Sequence, residues 1–175
     1  WDGTFTSRDL ATGKSVISLS GTIAIGPVPS GTCVLDGFEI QNGTGLQMLS
    51  PIAGRYGGGI WVSSADVDIA NCYLHDNTAN DGSYGAGGGI YASASSIDIV
   101  DTEIAACTAV QGGAVFLEGC SGSIAGSNIH DNSLLYSAQP SNGGGIYIAS
   151  STTVDLSGNT ITQNIADPAS GTGLS

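Results

Sequence analysis

Positive charge is almost missing from this sequence. Only three of its 175 residues are Lys or Arg, against fifteen Asp and Glu, and the formal net charge is −12. Arg8, Lys14 and Arg55 all precede Gly57, and the eleven carboxylates from that point onward have no Lys or Arg among them. Nucleic acids and anionic lipid surfaces both require a cationic footprint on the protein. The charge pattern therefore argues strongly against either partner.

Long apolar runs are missing as well. No stretch approaches the ~18 consecutive apolar residues of a transmembrane helix, so we predict no membrane insertion. The chain starts at Trp1 rather than Met and opens without a basic, apolar-cored leader, which indicates a mature or trimmed product. Charged residues make up only 10% of the chain, and this low share suits the thin core of an elongated protein.

Glycine, by contrast, is abundant and marks an internal repeat. Three segments of 21 residues that begin with Gly-Gly align without a gap, and a fourth has one extra residue in its Ser/Thr turn. Repeats with a period of about 20–50 residues are typical of solenoids. The segments span residues 57–77, 87–107, 112–132 and 143–164.

Each copy alternates apolar and polar residues, as in Val67-Asp68-Ile69. A period of two predicts β-strands rather than helices, and each copy holds three short strands separated by bends of small residues. The first apolar column recurs after 30, 25 and 31 residues. Columns in register predict that each copy is one coil of a parallel β-solenoid, with neighbouring coils ~4.8 Å apart. That column consists of Ile60, Ile90, Val115 and Ile146.

The repeated pattern, GGGI or GGAV followed by [L/I]-x-x-N, resembles the repeats of right-handed parallel β-helix surface proteins. It is closest in style to the passenger domains of polymorphic outer-membrane proteins. The resemblance covers residues 57–164 and, more loosely, 33–43. It implies surface display and adhesion. It carries over no catalytic residues, because a shared fold does not fix a function.

We therefore predict an all-β protein with a single right-handed parallel β-helix domain over residues 1–175. It should have about five to six coils of three short strands each. Residues 1–56 would form irregular N-terminal coils, 57–164 the four regular repeats, and 165–175 the start of a further coil. The right hand follows from the preference of parallel crossover connections and from the resemblance.

Cysteine is scarce, and its positions do not favour bridges between neighbouring coils. No two of the four cysteines share a column in adjacent copies, whereas a disulfide requires Cα atoms ~4.4–6.8 Å apart. Buried free thiols and bridges both remain open, so the number of cysteines does not indicate a redox compartment. The residues are Cys33, Cys72, Cys107 and Cys120.

An asparagine column ends the copies. It contains Asn77, Asn132 and Asn164, and Cys107 interrupts it. Asn tolerates the left-handed conformation at a tight bend, and stacked amides can bond to one another. We favour such a structural ladder over a simple turn role. Separately, Asn42 begins an N-glycosylation sequon, which matters only if the source glycosylates.

Four aromatic residues follow the first apolar column and should point to the opposite side of their strands. An exposed aromatic column on one sheet could stack on sugar rings or pack against a partner. The alternative is a self-stacking ladder that covers its own neighbours. We name this set the aromatic column: Trp61, Tyr91, Phe116 and Tyr147.

Asp68, Asp98 and Asp155 form a second outward column. Calcium is the natural ion to neutralise stacked carboxylates such as Asp68 and Asp98, because it takes oxygen ligands in tolerant geometry. No calcium-binding loop sequence is present, however, and a solvated acidic face is the favoured interpretation. We predict no cofactor, with calcium at Asp68 and Asp98 as a weak candidate.

The repeats contain few of the residue types and groupings that catalysis by a β-helix enzyme requires. β-Helix polysaccharide lyases need a basic residue, and none lies in the repeats, while hydrolases need clustered carboxylates with a raised-pKa acid. Two His-Asp pairs begin at His75 and His130, two coils or ~10 Å apart, too far to share a metal. We interpret them as surface turn residues. We therefore predict no catalytic activity.

The ends of the chain indicate assembly. Trp1 and Phe5 place large apolar side chains at one end, and Leu174 begins a strand at the other, with no recognisable capping repeat. We predict head-to-tail association into a fibre, or a place within a longer solenoid.

The sequence as a whole predicts a secreted or cell-surface structural and adhesive module. Its partners would be further copies of itself, surface glycans or a host protein. The rival prediction is a secreted protein that binds or cleaves polysaccharides in the manner of pectate lyases.

Overall fold

The computed structural model describes residues 15–27, 30–50, 52–135, 141–150 and 152–166. The predictions for Trp1, Phe5 and Leu174 lie outside the described residues. Within them the chain forms 22 short β-strands and no helix. The strands are β1 (Ser15–Ser18), β2 (Ile23–Ile25), β3 (Cys33–Asp36), β4 (Phe38–Gln41), β5 (Leu46–Met48), β6 (Gly54–Tyr56), β7 (Ile60–Ser63), β8 (Asp66–Ala70), β9 (Tyr73–His75), β10 (Thr78–Ala79), β11 (Gly85–Ala86), β12 (Ile90–Ser93), β13 (Ser96–Val100), β14 (Glu103–Ala105), β15 (Thr108–Ala109), β16 (Val115–Glu118), β17 (Ser121–Ala125), β18 (Asn128–His130), β19 (Ser133–Leu134), β20 (Ile146–Ala149), β21 (Thr153–Ser157) and β22 (Thr160–Thr162).

Three parallel sheets carry the repeat. The first sheet has the order β2-β7-β12-β16-β20, the second β3-β8-β13-β17-β21, and the third β1-β4-β9-β14-β18-β22. Each strand pairs in parallel with its counterpart one coil away. The described chain thus makes five complete coils of three strands, preceded by β1. The predicted parallel solenoid with three short strands per coil is confirmed.

The predicted apolar columns lie in register and fill the interior of the coils. Ile60 pairs with Ile90, and Leu74 pairs with Ile104. All four side chains are fully buried. Removing apolar surface from water stabilises by roughly 25 cal/mol per Å². Alternation along each strand, with core residues inward and polar residues outward, therefore selects this register, since a slip of one residue would reverse every side chain.

Left-handed backbone conformations mark the corners between strands. Asp76 has a φ of 54°, whereas Asn77 after it is not among the residues with positive φ. The simple turn role, the less favoured alternative for the asparagine column, is therefore wrong for Asn77, because the bend lies one residue earlier. The corner residues are Ser64, Ala94, Gly119 and Ser150 after the first sheet, Gly37, Asn71, Asp101, Gly126 and Gly158 after the second, and Asn42, Asp76, Ala106, Asp131 and Gln163 after the third.

Each asparagine of the column ties its coil to the one before it. Asn132 donates from Nδ2 to the carbonyl of Ile104 at 2.9 Å, and its Oδ1 accepts the backbone N–H of Cys107 at 2.9 Å. Asn132 Nδ2 also lies 2.9 Å from Oδ1 of Asn164, which is the amide ladder that the sequence predicts. The ladder breaks at Cys107, whose thiol stands 3.8 Å from Nδ2 of Asn77.

The four cysteines are free thiols. Cys107 is fully buried, and burial raises the pKa of its thiol to about 12. A protonated, buried thiol is neither a nucleophile nor a metal ligand. Of the two alternatives that the sequence leaves open, the structure has the unbridged one.

Two further sheets, which the sequence analysis does not predict, lie in the segments between the third and the first sheet. Strands β10, β15 and β19 form a short parallel ladder directly after the asparagine column. Strands β5 and β6 form an antiparallel hairpin, and β6 also pairs in parallel with β11. We call β5, β6 and β11 the cover, because they fold across the outer side of the first sheet.

Candidate functional site

The aromatic column lies on the outer side of the first sheet, as the alternation predicts. Tyr91 pairs in register with Trp61 and Phe116, and Phe116 pairs with Tyr147. The ring centroids of Tyr91 and Phe116 are 5.3 Å apart and stacked, and those of Phe116 and Tyr147 are 5.1 Å apart and edge-on. Such pairs add roughly 0.5–1.5 kcal/mol each beyond the burial of their area.

The expected exposure of this column is wrong at its centre. Tyr91 and Phe116 are only 5% exposed, because the cover lies over them. The ring of Tyr56 stands edge-on to that of Tyr91 at 4.9 Å, and the ring of Tyr84 is 5.7 Å from that of Tyr56. Together these rings make a second hydrophobic core outside the coils. The two central rings therefore have no free face for a sugar.

The phenols of this second core are neutral hydrogen-bond donors. Tyr84 donates from Oη to Oε1 of Gln111 at 2.8 Å, and Tyr91 to Oε2 of Glu118 at 3.4 Å. Burial, followed by the charge of Glu118, raises the pKa of Tyr91 to about 12, and burial likewise raises the pKa of Tyr84. Neither phenol can act as a base near neutral pH.

Sequence reasoning misses Tyr56 and Tyr84, because the segments that contain them have no periodic pattern. The available signal is their position. Tyr56 directly precedes Gly57, and Tyr84 stands three residues before Gly87, at the start of the next repeat. Tyr56, just upstream of one repeat, packs against Tyr91 of the following repeat, and Tyr84, just upstream of that second repeat, packs against Tyr56.

The acidic column lies on the outer side of the second sheet. Asp68 pairs with Asp98, which pairs with Ser123, and Ser123 pairs with Asp155. The hydroxyl of Ser123 donates to Oδ1 of Asp98 at 2.6 Å. Partial burial, then the charges of Asp98 and Asp66, raise the pKa of Asp68. In the described ranges no three His, Cys, Asp or Glu residues group so that they could hold a metal ion, and calcium at Asp68 and Asp98 stays a prediction.

The interpretation of the two histidines as surface turn residues is wrong, because His75 is the last residue of β9 and His130 the last residue of β18, and both side chains are mostly buried. His75 contacts Glu39 and Asp76, and His130 contacts Glu103 and Asp131. In each case the glutamate belongs to the preceding coil. Sequence analysis misses the glutamates, because the diagonal contact across two coils depends on the exact register.

The last described coil exposes its core. Ile148, Leu156, Ile161 and Ile165 are 39–59% exposed. An open groove of about 670 Å³ lies against the first three and is also lined by Gly145 and other residues of the same coil. The residues in register with the first three, one coil earlier, are fully buried: Leu117, Ile124 and Ile129. We call this surface the end groove.

Asn42, the candidate glycosylation site, is exposed at a corner with a φ of 61°. Its side-chain Nδ2 donates to Oγ of Ser18 at 3.2 Å. The side chain is accessible to solvent, and its glycosylation stays a prediction.

Stacked parallel coils, an inward column of branched apolar residues and asparagines that bond from coil to coil define this protein as a parallel β-helix. The family described as right-handed β-helix region matches residues 28–174. The chain therefore belongs to that right-handed β-helix family. No curated protein and no solved structure matched the chain. The family match supports the repeat type but not the finer likeness to polymorphic outer-membrane proteins, which stays a prediction.

Within the residues that the structure describes, no helix has the length and hydrophobicity needed to cross a membrane.

Proposed function

We propose that this protein is a non-catalytic structural and adhesive β-helix module, displayed outside the cell, that stacks end to end through its end groove. The observation that carries the proposal is the exposed core of the last described coil. Ile161 is 45% exposed there, whereas Ile129, one coil earlier in the same column, is fully buried.

The chemistry of the end groove favours another β-coil as its occupant. Among the described strands, β20, β21 and β22 are each the outermost strand of their sheet, so one row of their backbone N–H and C=O groups faces along the axis. Such an edge is a template for a further strand. A β-coil would pair three edges and bury the apolar side chains at once, which no single loop or helix could do.

We assign the occupant to a second copy of this chain, in which β2, β3 and β1 are the outermost described strands at the opposite end of the three sheets. Charge does not oppose the contact. One outward column of the second sheet has Asp155 at one end and the uncharged Val34 at the other. Another has Asp36 at one end and the uncharged Ser157 at the other. In a stacked pair, neither Asp would therefore meet a second carboxylate in its column. A net charge of −12 resists side-by-side clumping while axial stacking remains open.

Stacking is tested with two neighbouring substitutions on β22. Ile161→Lys places a charge in the end groove, whereas Thr160→Lys places the same charge on the outer face of the same strand, at a residue that does not line the groove. We expect wild type and Thr160→Lys to form concentration-dependent oligomers in sedimentation experiments, and Ile161→Lys to stay monomeric. Electron microscopy should show fibres with an axial repeat of at least ~24 Å, from five coils at ~4.8 Å.

Two results would contradict end-to-end stacking. One is a wild-type protein that is monomeric at every concentration, with the amides of β20 to β22 protected from hydrogen exchange, because the chain's own later residues would then cover the groove. The other is equal oligomerisation of Ile161→Lys and wild type. Circular dichroism of each variant checks that the β-sheet content is retained.

The non-catalytic assignment is supported by the hydrogen bonds of Arg55, the one Lys or Arg in the described part of the chain. Its guanidinium donates to the carbonyl oxygens of Thr44 and Gly45 at 3.2 and 3.0 Å, so it supports the cover. We expect no new reducing ends when acidic or neutral polysaccharides are incubated with the protein. Turnover that disappears in Asp98→Asn would refute this assignment, and glycan binding lost in Trp61→Ala would favour a lectin-like role.

A further inference from the structure

One imidazole on the outer face of the third sheet is held between two carboxylates. Nδ1 of His130 lies 2.7 Å from Oδ2 of Asp131, and Nε2 lies 3.1 Å from Oε1 of Glu103. The side chain of His130 is 23% exposed, so the bridge is partly shielded from water. Both ring nitrogens are thus engaged by acceptors of the same kind.

The same arrangement recurs two coils earlier, at His75. Its Nδ1 lies 2.7 Å from Oδ2 of Asp76, and its Nε2 lies 3.2 Å from Oε1 of Glu39. The ring also stacks on Tyr73 at a centroid distance of 4.3 Å. Because the same geometry occurs twice and is built from the same residue types, it is a recurrent feature of the third sheet rather than an accidental side-chain orientation.

Each bridge joins two coils. Glu103 lies on β14 in the third complete coil and His130 on β18 in the fourth, while Glu39 and His75 lie on β4 and β9 in the first and second. At the two remaining junctions the column of the histidines holds uncharged residues, Ala105 and Thr162.

Only one protonation state satisfies such a bridge. A neutral imidazole has a single N–H, so one of its nitrogens would present a lone pair to a carboxylate. The imidazolium donates from both nitrogens, and hydrogen bonds between charged groups are about twice as strong as neutral ones. The geometry therefore selects the protonated ring.

We propose that the bridge of His130 between Glu103 and Asp131 is a proton-operated clamp that fastens the third coil to the fourth on the acid side of neutrality and loosens as the pH rises. The hydrogen bonds to Asp131 and Glu103 raise the pKa of His130, and partial burial opposes them more weakly. The clamp does not rest on end-to-end stacking, because it acts within one chain.

The groups that face His130 are consistent with a raised pKa of its imidazole. On β14 these are Glu103 and the uncharged Ala105; at its own corner, Asp131; and on β22, the uncharged Thr160 and Thr162. None of them is a cation. A raised folded-state pKa stabilises fully below the unfolded imidazole value of ~6.5, and this stabilisation is lost as the pH rises through the folded value.

The test compares urea unfolding of the full chain at about pH 6 and about pH 8, on either side of the ordinary imidazole value. His130→Gln removes the titrating group, and Thr162→Gln is the control in the same column of the next coil. We expect the folding equilibrium constant of wild type and Thr162→Gln to fall more steeply with rising pH than that of His130→Gln. For each unit by which the pKa of His130 in the folded chain exceeds its pKa in the unfolded chain, the folding equilibrium constant falls about tenfold between the acid and the alkaline side of the titration.

A second measurement follows the ring itself. Nuclear magnetic resonance of the imidazole should show His130 titrating above its value in the urea-unfolded chain, and Glu103→Gln should move that titration to lower pH. The clamp is excluded if His130 of the folded wild type titrates at or below its unfolded value. It is equally excluded if His130→Gln and wild type show the same pH dependence of unfolding.

Discussion

Exchanging residues within the asparagine column tests how much its hydrogen bonds stabilise the fold. Asn132→Cys gives the fourth coil the same residue that the third coil already has in this column, Cys107. The substitution leaves the carbonyl of Ile104 and the N–H of Cys107 without their side-chain partner, and both bonds are buried. Each buried group left unsatisfied costs about 1–3 kcal/mol, and a thiol replaces only a small part of that, so we expect a loss of about 2–4 kcal/mol.

The reverse substitution, Cys107→Asn, should stabilise the protein. The new amide would reach back to the second coil as Asn132 reaches back to the third, and it would replace a thiol that lies 3.8 Å from Nδ2 of Asn77. Space is available, because Gly89 opposite has no side chain, as Gly59 has none opposite Asn77. We expect a gain of about 0.5–1.5 kcal/mol, the usual net value of a buried hydrogen bond.

Urea unfolding under reducing conditions measures both changes through the shift in midpoint at constant slope. For a chain of this length, a loss of about 3 kcal/mol lowers the melting temperature by roughly 6–12 °C. A free energy of unfolding for Asn132→Cys within ~0.5 kcal/mol of wild type, the usual size of a neutral surface change, would show that these hydrogen bonds do not stabilise the fold. A Cys107→Asn variant less stable than Asn132→Cys would show the same.

Two further outcomes are expected. Gly122→Ala should destabilise by about 3 kcal/mol or more in urea unfolding, because Gly122 has a φ of 123° and an added Cβ would collide with the backbone of Ile97; Gly21→Ala, where a Cβ meets no atom within 4 Å, is the control and should change stability by less than ~1 kcal/mol. Because Tyr84 and Tyr91 have raised folded-state pKa values, the unfolded chain loses these protons first, so stability should fall as the pH rises above ~10. Ultraviolet titration should then show phenolate formation coinciding with unfolding, and two phenols that ionise near pH ~10 in the folded protein would contradict the burial argument.

The coils themselves could be predicted from the sequence because inward and outward residues alternate and the copies have nearly equal length, 21, 21, 21 and 22 residues. Once Ile60 is inward, period two fixes the direction of Trp61, and equal spacing between bends places Ile60 against Ile90. These relations are local or repeat exactly, so that no knowledge of distant contacts is needed.

The contacts between elements of unequal length could not be predicted. The hairpin of β5 and β6 comes from a segment without periodicity, and its placement over Tyr91 depends on packing between distant parts of the chain. To predict the bridge from His130 to Glu103, one would need to know which outward residues of neighbouring coils lie diagonally opposite each other and which rotamers they adopt. Burial of the aromatic column and the histidine bridges therefore emerge only in three dimensions.

The direction of the hydrogen bonds has a mechanical consequence. In parallel sheets the bonds run from strand to strand, which here means from coil to coil along the axis of the solenoid. A pulling force along that axis therefore loads the hydrogen bonds of all three sheets at each junction between coils. The junctions then break one after another, and each break releases one coil. Because successive coils are 25–31 residues apart in the regular region, each rupture would release a contour length of roughly 80–110 Å. Under tension the protein would lengthen in a series of nearly equal steps, each one a force-bearing unit that dissipates energy before the next is loaded.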